Sequence, residues 1–178
     1  MGGTPTARLT VPRGSVVVLI GPAGSGKSTL AARLFPSVAV LSSDTLRARI
    51  GKGEADQTVT GAAFAALHRA LETRLTARQT TIIDATSLAP AARSALLKRA
   101  RAHDATAVAI VLDLPPDIVL ARNAGRAGRV VPEPAVRRQL AMLRAVTDPV
   151  LAAEGFAIVQ RLRSDADLAA LRIEDLVT

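Results

Sequence analysis

An α/β fold, with helices on both faces of a parallel sheet of about five strands, is the class this sequence predicts. Three observations predict it. Short continuous apolar runs such as Val16–Ile20 and Val108–Leu112 recur along the chain, as strands buried on both faces require. Between them lie stretches whose apolar residues return every three or four positions, the spacing of amphipathic helices. The first of the long runs feeds a glycine-rich turn that opens directly into a helix-like segment.

Taken in order, Leu9–Val11 reads as a short strand closed by Pro12 and the turn residues Arg13-Gly14-Ser15. Val16–Ile20 is the first buried strand, and a helix over Lys27–Leu34 stops before Pro36. Val38–Leu41 predicts a second strand ending at Ser42-Ser43-Asp44, with a short helix over Thr45–Ile50 broken by Gly51 and Gly53. Residues 51–58 are polar and expected to be flexible. Phe64, Leu67, Leu71 and Leu75 mark a helix from about Thr60 to Arg78. Thr81–Asp84 is the next strand, and Pro90 suits the first turn of a helix reaching Arg101. After the strand Val108–Leu112, Pro115-Pro116-Asp117 starts a helix that runs to Gly125. Residues 126–134 lack periodicity and read as a loop. Val136, Leu140, Leu143 and Val150 outline a helix that Pro149 should kink or end, Phe156–Leu162 a fifth strand, and Asp165–Leu176 a closing helix or two.

The chain's 178 residues suit one compact domain with a full core, here 1–178 with residues 1–8 as a flexible leader. The absence of cysteine rules out a disulfide framework and thiolate metal sites, and makes a cytoplasmic location the expectation. No apolar run approaches the roughly 18 residues a membrane span needs, so no membrane partner is expected. A net charge of +8 favours a polyanionic partner. With neither Trp nor Tyr, and Phe only at Phe35, Phe64 and Phe156, an aromatic platform for stacking bases is not expected.

The chemistry starts at Gly21-Pro22-Ala23-Gly24-Ser25-Gly26-Lys27-Ser28-Thr29, a phosphate-binding P-loop in its required setting of buried strand, turn and helix start. Gly21, Gly24 and Gly26 let the backbone N–H groups around Ser25 converge on phosphate oxygens. The helix beginning at Lys27-Ser28-Thr29 adds its unpaired N–H groups and the positive end of its dipole. Lys27 would reach the terminal phosphates of a nucleoside triphosphate, and the Ser28 hydroxyl would ligate Mg²⁺. Lysine is scarce here, 3 of 23 basic residues, so its presence at this position reads as a chemical demand. The sequence thus predicts a P-loop NTPase-type three-layer sandwich.

Ligands of such sheets bind beyond the carboxyl ends of the strands, where Ser42-Ser43-Asp44 and Asp84-Ala85-Thr86 also fall. Asp84 would hold Mg²⁺ directly or through water, or else cap the following helix. Asp44 and Arg47, three apart, project from one helical face. Asp44 would accept a proton from an attacking hydroxyl while Arg47 holds a neighbouring anion; a helix cap is the competing role for Asp44. Arg122, Arg126 and Arg129 straddle a helix end and a loop with Gly125 and Gly128, as an Arg-bearing lid over a transferring phosphoryl group would. A solvated face is their alternative. Gln57, Thr58 and Thr60 are weaker candidates for substrate contact. His68 and His103 are assigned no catalytic role.

In combination these blocks resemble the 5′-polynucleotide kinase family, in particular the kinase module of bacterial RNA end-healing and repair proteins. The resemblance runs from Leu9 to Phe156. It rests on Leu9-Thr10-Val11-Pro12, the P-loop, Ser42-Ser43-Asp44-Thr45-Leu46-Arg47 and the segment Asp56-Gln57-Thr58-Val59-Thr60. Val111 to Pro115, Ala121-Arg122-Asn123 and Arg129-Val130-Val131-Pro132 complete it. It implies an ATP-dependent kinase, with ATP or another NTP as donor, Mg²⁺ as cofactor and the 5′-OH end of RNA or DNA as acceptor. It further implies Asp44 as general base, Arg47 on the phosphate beside the terminal nucleoside, and Lys27 and Ser28 on the donor phosphates and metal. Arg122, Arg126 and Arg129 would form the lid, Arg122 and Arg126 toward the nucleotide, Arg129 also toward the polynucleotide. Val131 would pack on the terminal base. A homodimer, and phosphatase or ligase partners in a repair pathway, are compatible with this reading. The rival readings are a small-molecule P-loop kinase acting on a sugar, nucleoside or antibiotic, and a non-catalytic nucleotide-controlled nucleic-acid binder.

Overall fold

The structure, a computed structural model, describes residues 7–52 and 57–174. Most of the expected leader and Asp56 lie outside the described residues, as does the side chain of Gln57. Residues 7 and 8, placed in that leader by sequence, belong instead to ordered backbone: Arg8 opens a strand, β1 (Arg8–Thr10).

Five strands form the central sheet: β2 (Val16–Ile20), β3 (Val40–Ser42), β4 (Thr81–Asp84), β5 (Ala107–Leu112) and β6 (Ile158–Leu162). All pair in parallel, in the order β3-β4-β2-β5-β6. The continuous apolar run of β2 has a simple cause. Val16, Val18 and Ile20 enter the core on one face, while Val17 and Leu19 enter the core on the other. The first core receives Leu67, Leu71 and Leu75 from α3 (Thr60–Thr76), and Leu96, Leu97 and Ala100 from α4 (Pro90–Ala102). The second receives Leu30 and Ala31 from α1 (Lys27–Leu34). Each such leucine, removed from water, contributes about 1.5–3 kcal/mol.

Four expectations change. Val38 is 74% exposed, because Ser37–Ala39 forms a 3-10 turn and the strand holds only Val40–Ser42. The helix α2 spans Ser43–Ile50 and is capped by Ser42, whose hydroxyl accepts from the Thr45 N–H, so Asp44 is not the cap. The helix α6 (Glu133–Arg144) ends well before Pro149. Pro149 instead sits in the first turn of α7 (Asp148–Glu154), where its missing N–H has no helical partner to lose, and Val150 is 40% exposed rather than part of a buried stripe. After β6 the helix α8 covers only Asp165–Ala170. The strand β7 (Arg172–Glu174) then pairs in parallel with β1, Arg8 opposite Arg172.

Candidate active site

The carboxyl ends of β2, β3 and β4 open into one cleft of about 570 Å³. The P-loop forms its floor. Gly24 (φ +86°) and Gly26 (φ +95°) take the left-handed conformation that glycine adopts without strain, and the turn packs hard against α5 (Pro116–Ala124). A Cβ at Gly24 would stand 2.4 Å from the Val119 carbonyl oxygen. The Gly21 N–H donates to the Thr86 carbonyl at 3.0 Å, tying the loop to the segment after β4. Arg93 fixes that segment from beneath. It donates to the Ser87 and Leu88 carbonyls while both oxygens of Glu154 accept from it at 2.7 Å.

Lys27 is 8% exposed and donates to the Pro22 carbonyl at 2.8 Å. Burial lowers its pKa to about 8; Asp84 opposes the shift and the Arg126 charge adds to it. Lysine must be protonated to attract phosphate. Nucleotide affinity is therefore expected to fall as pH rises through about 8. Titration calorimetry across that range checks it, and Lys27→Arg should move the fall to higher pH. The stability link runs the opposite way: between about 8 and the ordinary value of 10.5 only the unfolded chain holds this proton. Raising pH through that window thus stabilises the nucleotide-free fold.

Beside Lys27, the Ser28 hydroxyl donates to Asp84 Oδ2 at 2.7 Å. Both residues line the cleft. The Ser25 hydroxyl, inside the turn, is buried without a hydrogen-bond partner among the described residues.

Asp44 and Arg47 also line the cleft. With Ser42 doing the capping, the Asp44 carboxylate is left to pair with Arg47, and Arg129 Nη1 reaches it from the loop before α6 at 3.4 Å. The Arg47 side chain is only 7% exposed, so it is a held group rather than a solvated one. Arg126 lines the cleft too. Arg122 lies against Gly26 and donates to Asp165 Oδ1 at 2.6 Å. Val131 lines the cleft as well but is 7% exposed, packed with Ala23, Leu114, Val119 and Val136. Thr58 and Thr60 do not line the cleft, and neither does His68 or His103, whose Nε2 meets Glu72 at 2.7 Å.

Sequence reasoning assigned no role to Asn123, Gln139 or Phe64. Phe64, expected on a core stripe, packs against the first core and also lines the cleft. Gln139 Oε1 accepts from the Ala23 N–H at 2.8 Å. Asn123 bonds both backbone groups of Val131. The available signal was a polar side chain on the apolar face of a helix, four residues after Val119 in one case and three after Val136 in the other.

A five-stranded parallel sheet with a P-loop, a strand-end carboxylate and an arginine-bearing segment around one cleft defines a fold of the P-loop kinase type. The chain belongs to the AAA_33 family, described as an AAA domain, which it matches over residues 16–150. No curated protein matches it. Among solved structures it is similar to Kti12 of Chaetomium thermophilum in complex with ADP-AlF3. The TM-score is 0.61 at 16% identity, covering 87% of this chain and 92% of that one. It is also similar to a gluconokinase of Sinorhizobium meliloti 1021, with a TM-score of 0.54 at 18% identity over 87% of this chain and 85% of the other. A chain of the Pnkp1/Rnl/Hen1 complex aligns with a TM-score of 0.53 at 20% identity, over 68% of this chain but 41% of that one. At such identities these likenesses establish the fold.

Proposed function

We propose that this chain is a kinase domain that transfers the γ-phosphate of ATP, or another NTP, to the 5′-hydroxyl end of RNA or DNA. The observation that carries the reading is Asp44, a carboxylate set between Arg47 and Arg129 in the same cleft as Lys27, Ser28 and Asp84. A hydroxyl acceptor needs a base, and one flanked by two guanidinium groups suits an acceptor that carries a phosphate beside its hydroxyl. Free 5′-OH nucleic-acid ends of more than one nucleotide have that pattern. The net charge of +8 and the fold likeness to a chain of the Pnkp1 complex favour the same acceptor.

In this mechanism the P-loop N–H groups and Lys27 hold the donor phosphates. The Ser28 hydroxyl and Asp84 carboxylate, hard oxygen donors 2.7 Å apart, fit Mg²⁺, which takes few protein ligands and keeps water and phosphate oxygens. When bound, the ion supplies neutralisation of phosphate charge. Asp44 takes the proton of the attacking hydroxyl. Arg47 holds the acceptor's adjoining phosphate. Arg122 and Arg126 lie over the donor, and Arg129 joins both sides of the transfer.

The gluconokinase likeness favours a second reading, a small polyol as acceptor. Labelled ATP, offered with Mg²⁺ to a 5′-OH oligonucleotide and separately to gluconate and free nucleosides, separates the two. Label is expected on the oligonucleotide 5′ end, diminishing as salt rises. Transfer to the small acceptors alone would overturn the reading, and ATP binding without any transfer would leave a non-catalytic binder.

A further inference from the structure

We propose that Asn123 is the positioning residue that sets Arg126 and Arg129 in register with the P-loop; the proposal rests on the functional reading given above for those arginines. Asn123 is 3% exposed on α5, and it touches both partners it would align. On one side a Cβ at Gly24 would come within 3.0 Å of the Asn123 Cβ and backbone nitrogen, so the P-loop turn lies directly on this stretch of helix. On the other side its amide makes two buried bonds to a single residue. Nδ2 donates to the Val131 carbonyl at 2.7 Å, and the Val131 N–H donates to Oδ1 at 3.1 Å.

That pairing reproduces the donor–acceptor pattern of a neighbouring strand and closes the base of the loop that carries Arg126 and Arg129. The side-chain choice is narrow. Aspartate lacks the donor, leucine lacks both groups, and glutamine places its amide one bond too far. Gln139, accepting from the Ala23 N–H, fastens the far stem of the loop to the same P-loop turn. Both stems are therefore anchored to the phosphate floor. Without the Asn123 amide, the Val131 N–H and carbonyl would be buried and unpaired, and the loop would open to hydrate them. The guanidinium groups would move with it, and a shift of about 1 Å can cost on the order of a hundredfold in rate.

The test reads arginine position without needing any acceptor. Arg126 is modified with a dicarbonyl reagent, followed by peptide mass spectrometry, with and without a non-hydrolysable ATP analogue. At about ten times its Kd, occupancy alone should slow modification about tenfold in the wild type. In Asn123→Ala the slowing should shrink to less than about twofold, at analogue concentrations rescaled to the variant's own Kd. Val136→Ala, which loosens the same apolar cluster but leaves the amide bonds in place, should keep the wild-type protection. If Asn123→Ala retains full protection, or Val136→Ala loses it equally at a matched fall in Tm, Asn123 is structural and the proposal fails. If the wild type itself shows no protection, the role given to Arg126 fails first, and the two failures are thereby distinguished.

Discussion

Asp44→Asn will lower phosphoryl transfer by about a thousandfold, mid-range for a positioned general base. Asparagine keeps the size of the side chain and one acceptor oxygen for Arg47 and Arg129, but it cannot take a proton. The carboxylate's ion-pair partners among the described residues are these two arginines, and no P-loop residue is among them. Equilibrium binding of ATP should therefore stay within about twofold of wild type while single-turnover transfer collapses. A variant that transferred at close to the original rate would remove Asp44 from the chemistry. A variant that lost ATP binding would show that the carboxylate supports the fold of the site rather than the reaction.

Arg126→Ala should lower kcat on a similar scale, about a thousandfold, as expected for an arginine that neutralises charge on a transferring phosphoryl group. A second readout makes this more than a rate measurement. The Arg126 charge helps to hold the Lys27 pKa down. Its removal should raise that pKa toward the ordinary lysine value and move the high-pH loss of nucleotide affinity upward. A loss of rate with an unmoved binding profile would place Arg126 away from Lys27 in the working enzyme.

The sheet and the P-loop were legible because their causes are local. The continuous apolar run of Val16–Ile20 can satisfy only a strand with cores on both faces, and Lys27–Leu34 is bounded by Gly26 and Phe35-Pro36 on its own terms. What escaped depended on partners distant in the chain, or on a choice between adjacent residues. Ser42 and Asp44 are both good caps, and only the start of α2 at Ser43 decides between them. Pro149 was read as an end because proline breaks helices, whereas Thr147 accepts from the Val150 N–H and makes it a beginning. Arg172–Glu174 carries no strand signature of its own. Its extended form comes from β1, far away in sequence, and from the Ala7 carbonyl that accepts the Arg172 N–H. That Lys27, Ser28, Asp44, Arg47 and Asp84 share one cleft could be anticipated, because they follow the carboxyl ends of β2, β3 and β4. Asn123 and Gln139 offer only the faint signal of a polar residue on an apolar helix face, since each serves the backbone of another segment.

The pairing of β1 with β7 also dictates an order of events during synthesis. The main sheet can assemble from residues that lie between these two strands, while β1, already made, has no ladder partner until residues 172–174 leave the ribosome. Closing so long a stretch of chain is entropically late. A nascent chain paused before that point would display a bare strand edge on an otherwise assembled sheet, and would be the form most open to proteases and to pairing with a neighbour.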